Sequence, residues 1–316
     1  MTKAETLPGP PEAPPERVGF IGLGQIGAAI AERLLVWPGE LVVCDVRPEA
    51  AAPFAERGAT VAADAAGVVA AGATVICVMV LDDDQVRSVV RQILPVASPG
   101  TIIAIHSTIR AETAETLAGE AEAHGVIVVD APVSGGFLGA HEGTLAVMAG
   151  GDRNAVDRLR PPFGCFAAMV LHFGPVGSGT RAKIARNLIT FVSYTAAAEA
   201  QRLAEAAGLD LRKLAKVVRH SDAITGGPGA IMLRATTAPM PSDDGLFAIM
   251  SHTRTLGEKD LALARDLAAE VGVDVPLTTL AQGLLAPGLG VPHPPNSEQA
   301  DPSQADPRQA QPTEQP

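Results

Sequence analysis

The sequence predicts a doubly wound α/β domain followed by an all-helical C-terminal domain. Between Arg17 and about Pro175, short apolar runs rich in Val and Ile alternate with helix-like segments. From Gly177 onward the strand-like runs stop and long amphipathic patterns replace them. Both parts are bracketed by polar, Pro-rich stretches. The expected organisation is a tail at 1–16, an α/β sheet domain at 17–176, a helical domain at 177–286 and a second tail at 287–316.

The runs RVGFI, LVVC, TVICVMV, TIIAIH and VIVVD are spaced as parallel strands are when helices cross between them on both faces. TLAVMAGG and MVLHF are expected to extend that sheet at its edge. In the second part, TRAKIARNLITFVSYTAAAEAQRLAEAAGL reads as one long helix, with Gly208 as its stop signal. LRKLAKVVRH, LFAIMSHTRTLGEKDLALARDLAAEVG and PLTTLAQGLLA read as further helices. The tails carry too little apolar surface to offset chain entropy and are expected to be mobile arms.

The net charge of −11 argues against nucleic acid as a partner, because phosphate binding rests on clustered Lys and Arg. Cys44, Cys77 and Cys165 form no C-x-x-C pair, and Cys44 and Cys77 fall inside apolar runs that read as buried strands. The His residues show no metal-ligand spacing, so no metal is expected. With no signal-peptide core and no run long enough to span a membrane, the expected location is the cytoplasm.

GFIGLGQIGAAIAERLL begins as a strand and ends as an amphipathic helix, with Gly22, Gly24 and Gly27 in G-x-G-x-x-G spacing. The first glycine permits a tight turn, the second lets a pyrophosphate approach the backbone, and the third lets helix and strand pack closely. The first helical residues, Gln25 and Ile26, then offer unpaired amides and the positive end of the helix dipole to phosphate. Asp45 ends the next strand, as a Rossmann-type fingerprint requires. A carboxylate there accepts hydrogen bonds from ribose hydroxyls and repels a 2′-phosphate, which favours NAD over NADP. Val46 and Arg47 continue this adenosine end, and Arg47 is open to phosphate binding, adenine stacking or solvent.

The later strands add candidates at the same sheet edge, where such folds bind ligands. Val80 and Leu81 line it after the TVICVMV run, and Asp82, Asp83 and Asp84 complement the dipole of the helix they begin. His106 reads as a strand-end histidine, and Ser107 and Thr108 as either a helix cap aided by Glu112 or a ligand contact. DAPVSGGFLGAHEGTL follows the last parallel strand. Ser134, Gly135 and Gly136 there combine a hydroxyl with consecutive amides, a cradle for a carboxylate. In VGSGTRAKIARN, Lys183 and Asn187 lie one turn apart on a helix, beside an apolar stripe of Ile184, Leu188 and Val192. Partial desolvation there would lower the Lys183 pKa toward values suited to proton transfer. Glu258, Lys259 and Asp260 by themselves read as a solvated charged face.

GFIGLGQIG, DAPVSGGFLGAHEGTL, GSGTRAKIARN and GEKDL, in this order and spacing, resemble the β-hydroxyacid dehydrogenases, a family that includes 3-hydroxyisobutyrate dehydrogenase and tartronate semialdehyde reductase, with 6-phosphogluconate dehydrogenase as a larger relative. The resemblance spans about Arg17 to Ala286. It implies an NAD(P)-dependent oxidoreductase acting on CH–OH donors, and a small carboxylate-bearing substrate. Gly22, Gly24 and Gly27 would hold the pyrophosphate, Asp45 the ribose, and Thr108 and Lys259 would line the cofactor. Ser107, Ser134, Gly135 and Gly136 would bind the substrate carboxylate, Lys183 would act as general acid/base and Asn187 would orient the substrate. The family often reads Lys-x-x-Asn-Asn, whereas Arg186 precedes Asn187 here. This Arg is open to three roles: depressing the Lys183 pKa, pairing with a second substrate anion, or facing solvent. A reductase of a semialdehyde or imine, and a non-catalytic nucleotide-binding module, are the alternatives. A homo-oligomer, dimer or tetramer, is expected mainly by the resemblance, with the Ala-rich TAAAEAQRLAEAAG face suited to helix packing.

Overall fold

The computed structural model describes residues 15–293. Most of each expected arm, residues 1–14 and 294–316, lies outside the described residues. The chain divides into two compact units at Leu188/Ile189. That point is later than the Val176/Gly177 boundary expected, so the segment bearing Lys183 and Asn187 belongs with the sheet.

The first unit runs β1 (Val18–Ile21), α1 (Gln25–Leu34), β2 (Leu41–Cys44), α2 (Pro48–Ala55), β3 (Thr60–Val61), α3 (Ala65–Ala70), β4 (Val75–Val78), α4 (Asp83–Ile93), β5 (Ile102–Ile105), α5 (Ala111–Glu122), β6 (Ile127–Asp130), β7 (Val133–Ser134), α6 (Gly136–Glu142), β8 (Leu145–Gly150), α7 (Arg153–Phe163) and β9 (Ala167–Gly174). The start of α8 (Ser178–Ala206) completes it. The strands lie in the order β3-β2-β1-β4-β5-β6-β8-β7, with β9 on β8. From β3 to β6 all pairs are parallel. β8 then runs antiparallel to β6 and β7, so the TLAVMAGG and MVLHF segments do extend the sheet as expected, with a change of direction.

Alternation along each strand explains why these runs are apolar throughout. Val18, Phe20, Val43, Cys77, Ala104 and Val129 face α1, α2, α6 and α7, whereas Ile21, Val42, Ile76, Val78, Ile105 and Val128 face α3, α4 and α5. Both faces are covered, as a parallel sheet requires. Cys44 and Cys77 are buried within these layers, and desolvation pushes both thiols up, Cys44 to about 11.

Two features of the first unit depart from the sequence reading. The stretch after Asp130, for which no element was expected, forms a short strand, β7, feeding the two-turn helix α6. Glu16, assigned to the arm, is fastened to the sheet unit: its carboxylate pairs with Arg158 at 2.7 Å and accepts from Thr74 at 3.0 Å.

The second unit contains the rest of α8, α9 (Leu211–Thr225), a 3-10 turn (Gly227–Ile231), α10 (Phe247–Val271) and α11 (Pro276–Leu289). Gly208, at φ +76°, follows the end of α8 as expected. Glu199 on α8 is 4% exposed and accepts from the amides of Leu277 and Thr278 at 3.0 and 2.7 Å, capping α11. α11 runs through Pro287, and Val291 is buried beside Met240, Met250 and Leu289. The C-terminal arm therefore starts later than residue 287, because α11 continues to Leu289 and the buried Val291 follows it. Among the described residues, no helix is long and apolar enough to cross a membrane.

Candidate active site

The carboxyl ends of five parallel strands fall in one row. Ile21 pairs with Cys44 and with Val78, Val78 with Ile105, and Ile105 with Asp130. Each chain segment leaving this row carries sequence-predicted candidates: Gly22–Gly27, Asp45–Arg47, Val80–Leu81, His106–Thr108 and Ser134–Gly136.

The three glycines of the first turn do three different things. A Cβ on Gly22, at φ +99°, would collide with the Met79 carbonyl, and one on Gly27 would collide with the Gly22 carbonyl. A Cβ on Gly24 would meet nothing within 4 Å. Gly24 also caps α1 without a side-chain bond, and Gly24 and Gln25 are exposed. The open space that a Cβ would enter, in front of unpaired helix amides, fits a dinucleotide pyrophosphate.

Asp45 organises the end of β2. Its Oδ2 accepts from Leu23 N at 2.6 Å, which ties the glycine turn to the end of β2. Its Oδ1 accepts from the Arg47 amide at 2.9 Å and from Nε at 3.0 Å. Burial opposes ionisation, but the bonds from Arg47 and Leu23 overcome it and hold the carboxyl below its ordinary value. Arg47, left open by the sequence, folds back onto Asp45. Val46 and Leu81 are 98% and 80% exposed, two apolar side chains uncovered at the sheet edge.

The next two strand ends revise expectations. Ser107 is 3% exposed, and its hydroxyl donates to Val80 O at 2.8 Å and accepts from Val80 N at 2.9 Å. It stitches β4 to β5 instead of presenting a free hydroxyl to a substrate. Thr108 is exposed and does not cap α5, whose cap position is Arg110 without a side-chain bond. Asp82 caps α4 through Gln85 N at 2.9 Å, as the dipole argument requires, while Asp83 reaches across to Thr113 and Arg110 N, at 2.5 and 3.1 Å. His106 is buried in a ring cluster, 5.1 Å from Phe163 and 5.8 Å from Phe166, with Nδ1 2.7 Å from Ala131 O. It serves the core, as a strand-end histidine.

Ser134 is half-buried and pairs with Ala146 across β8, whereas Gly135 and Gly136 are exposed at φ +133° and +64°. Backbone in this region suits Gly alone and opens the first amides of α6. A Cβ on Gly135 would also press on Leu145 at 2.9 Å.

Lys183 and Asn187 lie one turn apart on α8, as predicted, and both are half-buried. Burial, then the charge of Arg186, lowers the Lys183 pKa. Arg186 NH1 lies 3.4 Å from Asn187 Oδ1, a long hydrogen bond on the exposed face. The Ile184 and Leu188 stripe is exposed, at 49% and 64%. In the second unit, Lys259 on α10 is exposed and pairs with Asp260 at 3.0 Å.

Sequence reasoning missed Asp130. This residue ends β6, is fully buried, and accepts from Gly177 N at 2.7 Å and Thr180 N at 2.6 Å, at the start of α8. Desolvation leaves its carboxyl raised even though these amides favour the charged form. The available signal was an acid closing an apolar strand with no helix of its own to cap.

Comparison with known proteins places the chain among relatives. Residues 17–174 match the NAD-binding domain of 6-phosphogluconate dehydrogenase, and 177–290 match the NAD-binding domain of NADP-dependent 3-hydroxyisobutyrate dehydrogenase. An uncharacterized oxidoreductase of Mycobacterium tuberculosis is 57% identical over 287 residues, covering 90% of this chain and 96% of that one. The mitochondrial 3-hydroxyisobutyrate dehydrogenase of Rattus norvegicus is 34% identical over 271 residues, covering 84% and 79%. The structure of Mycobacterium tuberculosis 3-hydroxyisobutyrate dehydrogenase with L-serine is 33% identical, covers 86% and 92%, and aligns with a TM-score of 0.61. With both its domains matched and its glycine turn, strand-end acid and helix lysine in place, the chain belongs to the β-hydroxyacid dehydrogenases, NAD(P)-dependent oxidoreductases.

Proposed function

We propose that this enzyme interconverts a small β-hydroxy acid and the corresponding carbonyl compound, with NAD as the preferred cofactor. The observation that carries the reading is the half-buried Lys183 with a lowered pKa, on a helix fastened to the strand-end row. A bound nicotinamide would supply the hydride chemistry at the hydroxyl-bearing carbon, in either direction. Lys183 in its neutral form takes the hydroxyl proton during oxidation; its ammonium form donates that proton during reduction. General acid–base help of this kind contributes about 10²–10⁴-fold. The amides at Gly135 and Gly136, with the Ser134 hydroxyl, bind the substrate carboxylate, and Asn187 orients the reacting hydroxyl.

Gly24, Gln25 and Ile26 meet the pyrophosphate, and Asp45 takes the ribose hydroxyls; the carboxylate supports NAD by repelling a 2′-phosphate. Ser107 acts through Val80, fixing the backbone at Val80 and Leu81 along which the cofactor lies; Thr108 lines the same edge. A homo-oligomer is part of the reading. Phe191, Tyr194, Ile224 and Leu280 of the second unit are more than half exposed, and a second copy would cover such surface. Sedimentation as a monomer at micromolar concentration would end that part.

The test follows nicotinamide absorbance for a panel of short 3-hydroxy acids and their semialdehydes, with NAD and NADP, in native protein and Lys183→Ala. Turnover that disappears in the variant supports the reading, and the NAD to NADP ratio decides the cofactor. Turnover that persists in Lys183→Ala rejects the lysine's role.

A further inference from the structure

We propose that Asp130 positions Lys183: its buried carboxylate pins the first turn of the lysine's helix to the strand end from which the carboxylate-binding segment departs. This rests on the general acid/base reading of Lys183.

The geometry is a two-point clamp. One carboxylate oxygen takes the Gly177 amide and the other takes the Thr180 amide, so both are used on groups three residues apart. A single bond would leave the helix free to pivot about it, whereas two fix its direction as well as its origin. The backbone packs tightly around the clamp. A Cβ on Gly179 would stand 2.6 Å from Asp130 O and 2.9 Å from Gly150 N, and one on Gly150 would stand 2.7 Å from Gly179 N. Neither glycine can be replaced without prising α8 from the ends of β6 and β8. The G-x-G of the sequence is thus a close-approach device, with Gly177 at φ +89° supplying the turn.

From Thr180 the helix continues without interruption to Lys183, about 4.5 Å further along its axis at 1.5 Å per residue. In the other direction, buried Ala131 and Pro132 lead from Asp130 to Ser134, which is held in register on β8. The amides that receive the substrate carboxylate and the group that moves its proton are therefore referenced to one side chain. Burying a carboxylate is costly unless it is well bonded, and here the bonds come from the Gly177 and Thr180 amides, which are buried with it and turned toward it from one helix start. A charge kept in so costly a place sets geometry. Misplacement by about 1 Å at a reacting centre lowers rates by up to about 10²-fold.

The experiment compares full-length native protein, Asp130→Asn and Lys183→Ala. Asn keeps the shape but turns an NH₂ toward one of the two amides. The expected result for Asp130→Asn is a kcat lower by tenfold or more, with KM for the hydroxy acid and Kd for the cofactor within threefold of native. A kcat within twofold of native, or a parallel fall in kcat and both affinities as in general loosening, overturns the proposal. Full activity in Lys183→Ala removes the reading beneath the proposal and the proposal with it. A dead Lys183→Ala beside an unimpaired Asp130→Asn removes the proposal alone. Should Asp130→Asn not fold, hydrogen exchange on the native enzyme decides. The Gly177 and Thr180 amides should be protected like those of β6, and exchange at unstructured rates overturns the clamp.

Discussion

Arg47 is folded onto Asp45, its Nε 3.0 Å from Oδ1, so the guanidinium is held against the carboxylate that ends β2. The pair predicts a cofactor switch. Asp45→Ser removes the anion and releases Arg47 to meet a 2′-phosphate. Loss of a charged hydrogen bond of about 1.5–3 kcal/mol lowers kcat/KM for NAD by about 10- to 100-fold, while the ratio of NADP to NAD activity rises. An unchanged ratio in steady-state assays would mean that Asp45 does not read the ribose.

The glycine turn separates folding from binding. Gly24→Ala enters open space and should leave the thermal midpoint nearly unchanged, yet obstruct the pyrophosphate and raise the cofactor Kd at least tenfold. Gly27→Ala drives a methyl group into the Gly22 carbonyl, backbone that cannot swing aside, and should cost about 3 kcal/mol or more. Calorimetry and cofactor titration of the two variants together check this; equal losses of stability would contradict it.

The sheet was legible because its strands are buried on both faces and read as unbroken apolar runs, and the glycine turn because its spacing has a physical cause. The placement of Lys183 and Asn187 one turn apart on a helix was legible from helical periodicity. The short elements were not: β7 and α6 lie in a stretch dominated by Gly, where neither periodicity has room to show. For a different reason, Asp130 escaped, and Ser107 was singled out but for another role. Each acts on a backbone amide or carbonyl distant in sequence, Thr180 in one case and Val80 in the other. Side-chain pattern does not encode that kind of pairing. Arg47 shows the converse limit, since its alternatives were visible but its folding onto Asp45 needed coordinates.

His106 makes the sheet unit sensitive to acid. Burial lowers its folded-state pKa to about 4 from 6.5, against the bond to Ala131 O. Between these values the unfolded chain holds the proton and the folded chain does not. Stability therefore falls as pH drops from 6.5 toward 4, by about 1.4 kcal/mol per unit and about 3 kcal/mol in all; above pH 6.5 the group contributes no pH dependence. His106→Leu should lose about 1 kcal/mol at pH 7 with the Ala131 bond, yet decline less steeply in acid. Urea unfolding at pH 7 and 5 measures the difference, and identical pH slopes for the two proteins would refute it.

Arg186 lowers the Lys183 pKa through its charge, in addition to the larger effect of burial. With Lys183 as the proposed base, oxidation requires its neutral form, so activity should rise with pH through the lysine's pKa, and the position of that rise reports it. Arg186→Gln removes the charge, which raises the pKa and moves the acid limb of kcat/KM for oxidation to higher pH. In reduction the ammonium form is the donor, so the same substitution extends activity to higher pH. The two profiles therefore move together toward alkaline pH, and this common direction separates a change in Lys183 from one in substrate affinity, which would alter amplitude alone. Limbs that stay in place in both directions would show that Arg186 does not tune the lysine.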